Sequence, residues 1–421
     1  MEAPLITALN KHHNRYTELL PTWLTIKDLE EGAYKVLREP GKYIFRRPGE
    51  SDELYLLRLR KTAYTPLIND SIRQFSSKVV YSNASIVGLV SPVWADWNEK
   101  NDSLLQMYYL LRSALYYGSA YIGVLPTVST NSSYIASQSL PQIRLYEPTT
   151  VVNWGRGWFI TKEQKGVQDD PLDPLERIET FWTVWATTNT KIFKSIDGQP
   201  PVLIQEWSHD GCLMTPLLLP TELWTGNNVY SKQLQYMQIE SSWSDVGSMM
   251  HLQRTYNPPS GDSYDPRLMQ LQSMKFDNAH VALGDFTFNE STGMTLNALT
   301  NQLETIESQI RSLVNIQYAT TSKRGNPYQS SDSKVADNKM ASSVLSVYGQ
   351  LTGKAYSNVL NTVARLLGLN DVISIVGMNN YDGNDTTTLL QEVDNLLKIK
   401  GDVSPEAYAN WISKLEESLK K

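Results

Sequence analysis

Five histidines, one cysteine and a few carboxylate pairs are the residues of this 421-residue chain whose types do chemistry. The histidines are His12, His13, His209, His251 and His280. Only the first two are close in sequence, and neighbours on a helix or strand do not share a face, so the spacing suits no metal-ligand set. Cys212 stands alone, which rules out an intrachain disulfide and points to a reducing compartment. The acid pairs Glu30–Glu31 and Asp169–Asp170 read as solvated surface. A glycosidase needs two carboxylates at a defined separation in space, which a sequence does not display. The chain carries no GxxxxGK[ST] phosphate loop, no GxSxG elbow and no HExxH. We therefore expect no catalytic residue, no cofactor and no metal site, and a protein that is not an enzyme.

The basic pair Lys323–Arg324 sits in a polar, Gly/Pro-broken stretch, Thr320 to Asp332, between two long helical patterns. Two readings compete. The pair is either a set of solvated charges on a surface loop, or a contact for a polyanion moving past, where a transient hold on phosphate is useful and a permanent one harmful. In the helix before the loop, Leu299, Leu303, Ile306, Ile310 and Leu313 are spaced 4, 3, 4, 3 and predict one packing stripe. In the helix after it, Met340, Val344, Tyr348, Leu351, Ala355, Val359, Val363 and Leu366 continue such a stripe until Gly368 offers a stop. These helices are either a core pair joined by a loop or part of a mechanical device.

Length and composition frame both readings. With 41% hydrophobic residues the chain can bury a core, and its length suits two or three domains. A net charge of -6 argues against tight binding of nucleic acid. The N-terminal segment lacks the basic start and apolar run of a signal peptide, and no stretch approaches the ~18 apolar residues of a membrane span. A soluble protein made inside the cell is expected, with no membrane partner.

Along the chain, residues 52–79 read as helix, with Ser51 as cap and Pro66 as a kink or break. Another helix is expected at 102–117, ended by Gly118. Between 120 and 225 the pattern changes to short runs rich in Val, Ile, Thr, Trp and Tyr, among them 120–125, 142–146, 177–185 and 191–194, which predict an antiparallel sheet. Trp154, Trp158, Trp182, Trp185 and Trp207 fall here, either as sheet core or as a stacking platform for carbohydrate or bases. A helix at 229–254, a strand or hairpin at 280–288, a strand at 372–376 and a terminal helical pair around Gly401 complete the prediction. The fold class is α+β.

The order of these parts resembles the portal proteins of tailed bacteriophages. Glu50 to Arg60 and Tyr64 to Arg73 lie in the helical start; Leu303 to Ile310 and Ala341 to Tyr348 are similar to the helices on either side of a portal tunnel loop. The resemblance covers nearly the whole chain in architecture, with weak local motifs. It implies a wing over 1–225, helical to 119 and β-rich from 120, a first stem helix at 226–254, and a small α/β clip at 255–293. A second stem helix at 294–318, a tunnel loop at 319–333, a long wing helix and strand at 334–384 and a short helical crown at 385–421 follow. It further implies that Lys323, Arg324, Asn326 and Tyr328 meet DNA, and that Leu299, Leu303, Ile306, Ile310 and Leu313 pack the stem and its subunits. The implied function is a homo-oligomeric ring, usually a dodecamer, at one capsid vertex of the virion, made in the bacterial cytoplasm. Double-stranded DNA would pass through its axis without sequence specificity. Terminase, head-tail adaptor, major capsid and scaffolding proteins are the implied partners. The alternative is another virion structural protein, or a carbohydrate-binding protein using the Trp-rich β region.

Overall fold

Apolar residues spaced three and four apart dominate the first 117 residues, and they fold as helices. These are α1 (Ala3–Leu9), α2 (Asn14–Glu31), α3 (Ala33–Val36), α4 (Asp52–Lys61), α5 (Leu67–Tyr81), α6 (Pro92–Asn101) and α7 (Ser103–Tyr117), with the short strand β1 (Ser85–Val87) between α5 and α6. The computed structural model describes residues 3–82, 84–88, 92–126, 140–167, 177–250, 254–256, 286–288, 294–314, 331–369, 372–379 and 381. The chain divides into two units, Met1–Asn379 and Asn380–Lys421, and all the described elements lie in the first.

Local chemistry sets the helix ends. The Ser51 hydroxyl accepts from the Leu54 N–H at the start of α4, and Asp102 does the same for Leu105 at the start of α7. Gly118 ends α7 in the left-handed conformation, φ 77°, and its N–H donates to Ala114 O. A side chain there would meet Trp224, whose ring lies 2.8 Å from the place of a Cβ. The expected break at Pro66 is complete: the chain leaves the helix after Lys61 and re-enters it at Leu67, so the predicted helix is two.

After Gly118 the β-branched and aromatic runs form β2 (Ser119–Leu125), β3 (Gln142–Tyr146), β4 (Val151–Gly155), β5 (Trp158–Val167), β6 (Arg177–Trp185), β7 (Asn189–Ile196), β8 (Val202–Ser208) and β9 (Met214–Leu218). Strands β4 to β8 make an antiparallel meander in chain order, and β3-β2-β9 make a smaller antiparallel sheet. Trp185 reaches from one to the other: it is fully buried among Tyr121, Tyr146, Val151, Leu213 and Met214. Its ring sits where a Cβ on Gly123 would be 2.6 Å away, so Gly123 makes room for it. Trp182 is buried as well, while Trp154, Trp158 and Trp207 are half-buried. The five rings therefore form no common platform facing solvent.

The chain returns to helix in α8 (Thr225–Met250), α9 (Met294–Leu313) and α10 (Ser331–Leu366), accompanied by β10 (Arg254–Tyr256), β11 (Phe286–Phe288) and β12 (Ser374–Val376). Strands β10 and β11 pair antiparallel, as do β1 and β12. Helices at both ends and strands gathered in the middle give an α+β protein. The ends differ from expectation by a few residues. Helix α8 stops at Met250 and Arg254 is already strand, while α10 begins at Ser331, so residues 331–333 are helix rather than loop. Most of the predicted clip, residues 319–330 of the predicted loop and the predicted crown at 385–421 lie outside the described residues.

Helix α10 ends as its sequence suggests. Gly368 has φ 72°, the Leu369 N–H donates to Ala364 O and the Gly368 N–H to Arg365 O, which is a Schellman closure. Its buried face is wider than the predicted stripe. Leu345, Tyr348, Thr352, Tyr356, Val359, Leu360, Val363 and Ala364 are all buried, because α5, α7 and the three strands β2, β9 and β12 cover it from several sides.

Candidate functional site: the α8–α9 helix pair

Helices α8 and α9 pack along each other, and the β10–β11 ribbon pairs the segment that follows α8 with the one that precedes α9. The stripe on α9 joins them. Ile306 and Ile310 are buried, Leu299 and Leu303 half-buried, and Leu313 is 42% exposed while Val314 is buried in its place. A 4, 3, 4, 3 spacing drifts against a 3.6-residue turn, so the inward position moves from 310 to 314. Most of the remaining residues from 296 to 313 are exposed and uncharged, with Asn297, Asn301, Gln302, Thr305, Ser308 and Ser312 outward beside Glu304 and Arg311. Glu307 pairs with Arg311 at 2.8 Å on this helix, and Trp243 of α8 donates its indole N–H to the Thr300 hydroxyl at 3.2 Å. Such a surface offers polyanions no strong hold.

The pair is anchored by polar contacts that the apolar pattern did not reveal. Arg58 of α4 is 3% exposed and donates to both Glu50 oxygens, at 2.8 and 2.7 Å, and to Phe45 O. That fork holds the Glu50 carboxyl down to about 2. Arg47 of the same loop reaches Asp245 and Ser242 on α8, both at 3.0 Å. Thr65 donates to Glu240 at 2.7 Å, and Thr62 meets Ser241 at 3.2 Å. Gln233 of α8, fully buried, accepts from the Ile68 N–H and donates to Thr65 O. It thereby caps α5, whose own N-cap residue, Pro66, has no side-chain donor or acceptor to offer. Arg58 interrupting a leucine-rich helix, and Gln233 within the apolar pattern of α8, were the only sequence signals of this tether.

Two other places gather polar groups or open a cleft. Burial raises the pKa of the Glu30 carboxyl, which takes a hydrogen bond from Tyr117 at 2.6 Å and faces Arg112 at 3.5 Å; Asn69, linked to Tyr116, donates to Glu30 O. This network ties α2, α5 and α7 together. A cleft of about 330 Å³ runs between α10 and β12, lined by Gly349, Gly353, Lys354, Ser357 and Met378 among others, with no acid, histidine or cysteine in its wall. His209 lies elsewhere, held between Thr190 and Gly211 O at 2.8 Å each, and burial lowers its pKa. Among the described residues no three His, Cys, Asp or Glu side chains are grouped to hold a metal, and no helix is long and apolar enough to cross a membrane. The predicted contact residues Lys323, Arg324, Asn326 and Tyr328 lie outside the described residues.

No protein-family model matches this chain, and the search of curated proteins found no match to it.

Proposed function

We propose that this chain is the portal subunit of a tailed bacteriophage, a structural protein that assembles as a ring, usually of twelve copies, and carries double-stranded DNA through its axis. The observation that carries the reading is the helix pair α8–α9 joined to the β10–β11 ribbon, followed after residues 315–330 by the 36-residue helix α10. In this reading α8 and α9 are the stem, the segment between them the clip, residues 319–330 the tunnel loop and α10 the long wing helix. Residues 1–225 form the wing and 385–421 the crown. The polar outer face of α9, where Glu304 and Glu307 outnumber the single Arg311, suits a surface past which DNA slides, since release of counterions by clustered Lys and Arg would hold it. The tether from Arg47, Glu50 and Arg58 to α8 suits a part that bears load. Terminase and a head-tail adaptor would dock at the clip, with capsid and scaffolding proteins around the wing, in the virion. The burial of Trp182 and Trp185 takes support from a glycan platform.

Native mass and particle images test this. We expect a closed particle with a central hole and a mass twelve times the 47.7 kDa chain. A monomer at every concentration would overturn the proposal.

A further inference from the structure

Helix α4 is built inside out. Its inward side carries the Arg58–Glu50 ion pair, whereas Leu54, Leu56 and Leu57 are 47%, 54% and 42% exposed. Phe45, whose carbonyl accepts from Arg58, is 69% exposed on the adjoining loop. Residues 33–61 hold eight Lys and Arg against four Asp and Glu, and since Asp28 and Asp245 answer Lys42 and Arg47 from outside the segment, an excess of two positive charges is left in a chain of charge -6. Exposed apolar surface of this density marks an interaction site.

A second surface has the opposite signature. Among the described residues strand β8 is an edge of the meander, paired with β7 alone, and its successive residues Val202, Leu203 and Ile204 are 64%, 44% and 51% exposed. Residues 196–211, which hold β8 and its flanking turns, contain Asp197, Glu206 and Asp210 and neither Lys nor Arg. Lys191 answers Glu206 at 3.1 Å, whereas Arg365 donates only to the backbone carbonyl of Asp210, which leaves the Asp197 and Asp210 carboxylates as the excess.

An α4-to-α4 contact would set one basic surface against another, whereas a head-to-tail contact sets basic against acidic and apolar against apolar. We propose that the outer face of α4, with Phe45, docks on the β8 edge of a second copy of this chain. The pairing names the interface for the proposed ring and rests on that reading for the number of copies only.

Two surface variants and their mixture test it. Leu54→Ser/Leu57→Ser removes one surface and Val202→Ser/Ile204→Ser the other, and both leave exposed positions polar, so the melting temperature is expected to stay near that of the unaltered chain. Each variant alone should need at least ~10-fold higher concentration to assemble. Mixed in equal amounts, they should form a species of two chains and stop there, since each contributes one intact surface. Should the first variant melt early, Arg38→Glu/Arg60→Glu, which removes no packing, replaces it. If both variants assemble like the unaltered chain, the ring uses another interface and this pairing is wrong while the ring stands. Loss of assembly in the α4 variant alone would mean a two-fold α4 contact and also overturn it. An unaltered chain that never assembles overturns both proposals.

Discussion

At the scale of residues, the Glu50–Arg58 pair decides more than its size suggests. Both side chains are almost wholly buried, so removing one leaves a desolvated charge without its partner. Arg58→Ala is expected to cost about 3–5 kcal/mol, read from urea unfolding at neutral pH. The pair also sets a pH response. Glu50 has its pKa lowered to about 2 by the Arg58 hydrogen bonds, against an ordinary value of 4.5. Its contribution is therefore complete above the ordinary value and is lost as pH falls through 4.5 toward about 2. Urea midpoints measured from pH 6 to pH 3 should fall over the acid part of that range in the natural chain, and fall less in Glu50→Gln. Glu30 runs the other way: burial raises its pKa, so its contribution is present at low pH and lost as pH rises through the folded value.

At the scale of elements, the helix pair stands on a few contacts. Ile310 is fully buried between α9 and its neighbours, and Ile310→Ala is expected to cost about 2–5 kcal/mol. Ile306→Asp/Ile310→Asp buries two unpaired charges and should separate α9 from α8, read as lost helical signal and lost assembly. Gln233→Ala removes the only side-chain cap on the Ile68 N–H and should cost about 1–2 kcal/mol in the same assay. Several elements were legible in the sequence because their determinants are local. Ser51, Gly118 and Gly368 act within a turn of their own position, and β3 and β6 run from one turn signal to the next. The inward shift from Leu313 to Val314 and the wide buried face of α10 were not legible. They depend on how many neighbours lie against a helix, which the helix's own periodicity does not encode.

At the scale of the whole molecule, the proposed function is a claim about copies rather than about a single chain. Deleting Lys323 to Tyr328 is expected to leave the ring mass unchanged and to reduce packaged or retained DNA in particles. Particles with a normal DNA content would remove the assignment of this segment to a tunnel loop.

The amino-acid sequence by itself determined the α+β class, the succession of helical, strand-rich and helical regions, and the caps and stops of individual elements. Each of these follows from periodicity and from side chains that bond their own backbone within a few residues. Only the tertiary structure decided that Trp185 fills the gap at Gly123, that Gln233 caps a helix 165 residues before it in the chain, and that α4 turns its charge inward and its leucines out. Those outcomes rest on partners far apart in sequence, where the gain from a buried contact is set by what the rest of the chain brings alongside.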